Sequence, residues 1–295
     1  MRRFIDIGAN LTDSMYAGIY NNTLKHPNDL EYVLQRSWKA GLEKIIITGG
    51  SLSESQKALN LARTNDRLFC TVGCHPTRCT EFEEAESPSV YLESLKNVIS
   101  EGKNKVVAIG ECGLDYDRIN FCPKEIQKKY FNLQLTITDH FNLPLFLHCR
   151  NAANDLYEIL KAFNLKGVIH SFDGTLNEAN KFIELGYFIG LNGCSLKTAE
   201  NLEVVKNLPV EKLLIETDCP WCEIRPSHAS YKYISKEHLS IMSVKKEKWS
   251  SECLVKSRNE PCNITCILDV IASVKNVNSN ELCEILFNNT NKLFF

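Results

Sequence analysis

The sequence predicts an α/β protein: a single (β/α)8 TIM barrel over residues 1–295, with a long loop after strand eight and extra C-terminal helices. Three observations carry this reading. Eight short apolar runs rich in β-branched residues recur every 20 to 40 residues or so, as βαβ units require. Helix or loop follows each run. No G-x-G-x-x-G follows the first run, which disfavours an open dinucleotide-binding sheet.

The first run is Phe4-Ile5-Asp6-Ile7-Gly8, and Leu30, Val33, Leu34 and Trp38 then repeat at helical spacing up to Gly41. Lys44 to Thr48 is strand two, followed by Gly49-Gly50 and a helix opened by a capping box from Ser53 to Gln56. Phe69 to Val72 is strand three, ending in Gly73-Cys74-His75-Pro76. An acidic loop around Glu81 to Glu86 leads to a helix carrying Tyr91, Leu92, Leu95 and Val98. Strand four is the stretch Val106 to Asp115, which delivers Glu111 to the rim between Gly110 and Gly113. Pro123 suits a first helical position, and Ile126, Tyr130, Leu133, Ile137 and Phe141 trace one face of a long helix.

Pro144 to Leu147 is strand five, ending in His148-Cys149-Arg150; Gly167 to Ile169 is strand six, ending in His170. Thr175 and Glu178 form a capping box. Tyr187 to Gly190 is strand seven, and Leu213 to Asp218 is strand eight. From Ile224 to Arg258 the rhythm breaks into a polar, lysine- and aromatic-containing segment, expected on the active face. Asn259-Glu260-Pro261 opens a helix with Ile264, Ile267, Leu268 and Ile271, and a shorter one carries Leu282, Ile285 and Leu286.

Apolar content of 44% and charged content of 24% are those of an ordinary globular chain. A net charge of -2 offers no long-range attraction to a polyanion, so a nucleic-acid role needs a local basic patch or bound metal. Arg2-Arg3 is followed by no apolar leader, and no run approaches a membrane span, so an intracellular protein without a membrane role is expected. Thirteen cysteines, an odd number scattered over a large domain, read as mostly reduced and buried. Cys219 with Cys222, and Cys262 with Cys266, suggest metal or redox pairs less well than buried thiols.

Polar residues at the C-terminal ends of barrel strands converge on one mouth whatever their separation in sequence. Glu111, His148, His170 and Asp218 all stand there. Each alone is explained by a rim hydrogen bond; four together point to a divalent-metal centre. Glu111 can bridge two cations, with the histidines favouring one and Asp218 the other, an arrangement suited to in-line attack on a phosphodiester. Glu216, two residues before Asp218, faces the same way and reads equally as an acceptor for a ligand histidine or as half of an internal salt bridge.

The chain resembles the TatD family of metal-dependent deoxyribonucleases, most of all its eukaryotic TatD domain-containing 1 branch. The resemblance rests on Asp6-Ile7-Gly8-Ala9-Asn10-Leu11, Gly73-Cys74-His75-Pro76, Gly110-Glu111-Cys112-Gly113-Leu114-Asp115, His148-Cys149-Arg150, His170-Ser171-Phe172-Asp173-Gly174-Thr175, Glu216-Thr217-Asp218-Cys219-Pro220-Trp221 and Arg258-Asn259-Glu260-Pro261, in one order along nearly the whole chain. It implies hydrolysis of DNA phosphodiester bonds with divalent cations. By carry-over, Glu111 contacts both metals, His148 and His170 one of them, and Asp218 the other while holding or deprotonating the attacking water. The resemblance also places His75 in the site.

Many relatives carry His-x-His where this chain has Gly8-Ala9-Asn10, which leaves mainly oxygen ligands for one metal and favours Mg²⁺ or Mn²⁺, weakly held, over Zn²⁺. His75 is a candidate contact for phosphate or the attacking water. Arg150 is a candidate phosphate clamp, against pairing with an acid such as Asp173, and Asn10 a candidate partner of metal-bound water. The lysines and aromatics after strand eight can grip a nucleic-acid strand or simply face solvent. DNA is the expected partner, with no obligate protein partner; a DNA substrate makes the nucleus plausible, though Lys245-Lys246-Glu247-Lys248 is too short and mixed to establish targeting. Two other readings stand beside this one: a small-molecule amidohydrolase or esterase on the same barrel, and a non-catalytic barrel that binds without turnover.

Overall fold

A computed structural model describes residues 2–295. Eight parallel strands follow one another in chain order around a nearly closed barrel. They are β1 (Phe4–Ala9), β2 (Leu42–Ile47), β3 (Leu68–Val72), β4 (Val106–Asp115), β5 (Leu145–Arg150), β6 (Gly167–Ile169), β7 (Phe188–Leu191) and β8 (Leu213–Ile215). Around them lie α1 (Leu30–Lys39), α2 (Leu52–Ala62), α3 (Pro88–Glu101), α4 (Lys124–Leu135), α5 (Ala153–Leu160), α6 (Leu176–Glu184) and α7 (Ala199–Asn207).

Strand alternation divides the core into two layers. Ile7, Ile46, Ala108, Phe146, Val168, Phe188 and Leu214 fill the barrel interior, and Phe294 packs into the same cluster. Phe294 belongs to the last helix, α9 (Ser279–Phe294), which follows α8 (Ile264–Lys275). The outward-facing residues form the larger layer beneath the surrounding helices. The seam between β8 and β1 is held past the end of β8, where Asp218 N donates to Gly8 O at 2.8 Å and Asn10 N to Cys219 O at 2.7 Å.

Strand four spans Val106–Asp115 as expected, because Gly110 and Gly113, at φ 138° and 137°, let β4 pass carbonyls of β5 that any Cβ there would strike. Other expected boundaries move. The helix cap after β2 is Ser51: its backbone is extended and its hydroxyl accepts from Glu54 N, while Ser53 lies inside the first turn. The acidic stretch contains a helical turn, Glu81–Glu84. The long helix ends at Leu135 and tightens into a 3₁₀ turn, Thr136–Asp139. The final helix, expected to be shorter than its predecessor, has 16 residues against 12.

The segment from Ile224 to Arg258 folds back onto the start of the chain. Trp249 stacks on His26 and donates its indole N–H to Asp29 at 2.9 Å, and Arg36 reaches Ser251 O at 2.7 Å. No helix among the described residues is long and apolar enough to cross a membrane.

Candidate functional site

Two glutamines of α4 fix the strand ends that lead into the mouth. Buried Gln134 brackets Cys74, accepting from its N–H at 2.7 Å and donating to its carbonyl at 3.0 Å, which sets the path into His75. Gln127, also buried, does the same for Asp115, at 2.7 and 2.8 Å. Backbone groups that no strand partner reaches are thus satisfied by a helix.

Within this frame Glu111 meets three imidazoles. Its Oε1 lies 2.7 Å from His170 Nε2, 2.9 Å from His148 Nδ1 and 3.4 Å from His75 Nε2. His148 Nε2 lies 3.2 Å from Asp115 Oδ2, so that ring bridges two carboxylates. Asp115 also caps its own turn, its Oδ1 accepting from Asp117 N and Arg118 N, both at 3.1 Å. Glu216 is fully buried behind His170; its Oε1 accepts from Ser171 N at 2.6 Å and lies 3.4 Å from His170 Nδ1.

The electrostatics follow from this crowding. Burial opposes ionisation of Glu111, yet His170, His75 and His148 hold its carboxyl well below the usual range. Burial likewise disfavours the charged imidazoles, but Glu111 and Glu216 hold His170 well above its ordinary value, and Asp115 with Glu111 raises His148. Burial wins at His75, pushed down to about 3. Its Nδ1 accepts from Thr77 N at 3.2 Å, which assigns the hydrogen of the neutral ring to Nε2, facing the cluster.

Asp218 stands across the cavity. Burial pushes it up to about 6. Its Oδ1 accepts from Asn10 Nδ2 at 2.9 Å and its Oδ2 from the Cys222 thiol at 3.2 Å. Arg150 is ion-paired with Asp173. Asn10, His75, Glu111, Asp115, His148, Arg150, His170 and Asp218 all line one cavity of ≈ 920 Å³ at the C-terminal ends of the strands, with Arg118, Lys197 and Trp221 also on its walls.

Two compact groups could hold a metal ion: Glu111 with His148 and His170, and His75 with Asp115 and His148. Imidazoles converging on one carboxylate require protons or a cation between them, and His170 Nε2 and His148 Nδ1 both face Glu111 Oε1. The donor set therefore fits a divalent ion. Asp218 belongs to neither group. Alternation along β4 from Glu111 places Asp115 on the same face, where it both caps its turn and meets His148. His238 is engaged elsewhere, 2.6 Å from Asp269. Lys232, Lys236, Lys245, Lys246 and Lys248, expected on the active face, do not line this cavity.

A family model described as TatD related DNase matches residues 5–295. The chain belongs to the TatD family. Among curated TatD relatives, the Schizosaccharomyces pombe deoxyribonuclease Tat-D is 45% identical, over 98% of this chain and 94% of its own length. A protein of Erwinia tasmaniensis named 3'-5' ssDNA/RNA exonuclease TatD is 33% identical, over 98% of both. Among solved TatD structures, a hydrolase of this family from Entamoeba histolytica superposes with a TM-score of 0.94 at 39% identity, covering 100% of this chain and 98% of that one. TatD membership thus joins a nuclease family to a site built from strand-end carboxylates and imidazoles.

Proposed function

We propose that this protein, acting as a single domain over residues 1–295, is a divalent-metal-dependent deoxyribonuclease that hydrolyses DNA phosphodiester bonds. One observation carries the reading: Glu111 Oε1 has three imidazole nitrogens within 3.4 Å at the floor of a cavity walled by Arg118, Arg150 and Lys197. The family and the names of its relatives support nucleic acid as substrate.

Glu111, His148 and His170 would hold one cation, and Asp218, with Glu111, a second. When bound, such ions supply positive charge that acidifies water and offsets the charge gathering on a phosphoryl group. The chain's own groups do the rest. Asp218, which lines the cavity opposite the imidazole cluster, would take the proton of the attacking water. Asn10 holds its Oδ1 and so sets the plane of the carboxylate. His75, neutral through burial, presents an Nε2–H donor to a phosphoryl oxygen. Arg150, steadied by Asp173, and Lys197 attract the strand, and the half-exposed Trp221 offers a face on which a base can stack. With Gly8 and Asn10 in place of two first-strand histidines, the second cation would be Mg²⁺ or Mn²⁺ in preference to Zn²⁺.

The test is cleavage of single-stranded, duplex and circular DNA with Mg²⁺, Mn²⁺ or chelator, comparing the native protein with Glu111→Ala and His148→Ala. Cleavage should require the metal and fall by roughly a hundredfold or more in each variant. Activity that survives both substitutions refutes the site, and two zinc ions retained through dialysis against chelator refute the metal preference.

A further inference from the structure

The sequence pattern pairs Cys219 with Cys222, but the fold pairs Cys222 with a different residue. Cys194, in the loop after β7, has its Sγ 2.9 Å from Cys222 Sγ, in the turn after β8. Ten of the thirteen cysteines are buried; Cys194 and Cys222 are partly exposed and both line the cavity that holds Asp218. Cys266, the third partly exposed one, lines a separate cavity of ≈ 360 Å³ that Cys222 also borders.

The two loops are brought together by backbone contacts as well as by sulfur. A Cβ at Gly193 would collide with the Cys222 carbonyl, so the chain at Gly193 lies directly against the turn. Asn192 Oδ1 accepts from Cys194 N at 2.9 Å, and Trp221 N donates to Asp218 O at 3.0 Å. Both thiols are thus presented on braced turns. Closing them to the ~2.05 Å of a disulfide takes about 1 Å of movement.

We propose that Cys194 and Cys222 form a reversible dithiol–disulfide modification site, oxidised by small-molecule disulfides that enter the cavity, and that its oxidation uncouples Asp218. Cys194, which shares the cavity wall with Arg150 and Lys197, attacks the small disulfide and releases one thiol. Cys222 then attacks the mixed disulfide on Cys194 and releases the second. Two electrons and two hydrogens pass from the protein to the oxidant, and one S–S bond is exchanged for another. The hydrogen that Cys222 Sγ donates to Asp218 Oδ2 at 3.2 Å is thereby removed.

The effect on activity rests on the nuclease reading above, whereas the disulfide itself does not. The experiment takes the full chain, reduces it, exposes it to oxidised glutathione, alkylates the remaining thiols and maps peptides by mass. The expected product joins the Cys194 and Cys222 peptides with loss of two hydrogens, is reversed by dithiothreitol, and is absent from Cys194→Ser and from Cys222→Ser. DNA cleavage by the oxidised protein should fall about tenfold, the scale of one lost hydrogen bond to a charged group, and return on reduction. The site is overturned if both cysteines stay alkylatable or if either joins a different cysteine. A clean Cys194–Cys222 bond with unchanged cleavage overturns the coupling to Asp218. A reduced protein that cleaves no DNA refutes the nuclease reading, and the peptide map still decides the disulfide.

Discussion

Glu216 Oε1 lies 3.4 Å from His170 Nδ1 while its other oxygen, Oε2, is buried with no hydrogen-bond partner among the described residues. This places a full carboxylate behind the one imidazole that touches Glu111 most closely. A carboxylate there orients the ring and makes it a stronger ligand. Glu216→Gln keeps the oxygen that Ser171 N needs but removes the charge. We expect metal affinity to fall about tenfold to a hundredfold, measured by calorimetric titration of Mn²⁺. An unchanged affinity would leave Glu216 as a structural acceptor only.

Position 8 leaves little room for a side chain. A Cβ at this position would lie 2.6 Å from Glu216 Oε2 and 3.1 Å from Phe146 Cζ. Gly8→Ala should cost about 1–3 kcal/mol through overpacking, read as a lower urea midpoint. Gly8→His should not gain zinc, because the side chain must first displace Glu216. Tight zinc binding by that variant would show the space to be available.

Asp6 is fully buried, and burial pushes its carboxyl up to about 8. Its oxygens accept from Gly8 N at 3.2 Å, Thr217 N at 3.0 Å and the Thr217 hydroxyl at 2.5 Å, so it ties β1 to the end of β8. Between the unfolded carboxyl range and about 8, the folded chain keeps a proton that the unfolded chain releases. Stability from this group therefore declines as pH rises through that window, by up to about 1.4 kcal/mol per pH unit. Asp6→Asn should flatten the decline in guanidinium titrations run from pH 5 to 9. Parallel curves for the two proteins would remove Asp6 as its source.

Why some of this was legible in the sequence and some was not is itself physical. The strands were readable because an interior layer such as Ile7, Ile46 and Val168 must be apolar in any barrel, and Glu111, His148 and His170 stood out as polar breaks at the ends of such runs. Strand eight was overextended because Glu216 to Asp218 continues the pairing pattern with Leu191 and Gly8 while Asp218 turns to φ 51°. Gln127 and Gln134 were invisible, since their partners are backbone groups far away in sequence. Cys194 was missed for a related reason: nothing local marks a loop cysteine whose partner lies beyond the next strand. The lysines and Trp249 after strand eight invited a nucleic-acid reading, but Trp249 is committed to His26 and Asp29.

That long segment is anchored by Arg258, which is fully buried. Its guanidinium donates from Nη1 and Nη2 to both oxygens of Asp29, each at 2.7 Å, and from Nη2 to Glu260 at 2.8 Å. Arg36 meets the same Glu260 at 2.9 Å from the opposite side. Arg258→Ala would leave two buried carboxylates sharing the Arg36 charge and the Trp249 indole, and we expect a loss of about 3–5 kcal/mol. Arg258→Lys should recover only part of it, because an ammonium cannot make the paired contact to Asp29. Arg258→Ala combined with Asp29→Asn should be less destabilised than Arg258→Ala alone, since one stranded charge is removed. Guanidinium unfolding measures all three, and limited proteolysis within residues 224–258 should accelerate in the alanine variant. Equal stability of the native and alanine proteins would mean that the segment is held by Trp249 and the α1 contacts without this ion cluster.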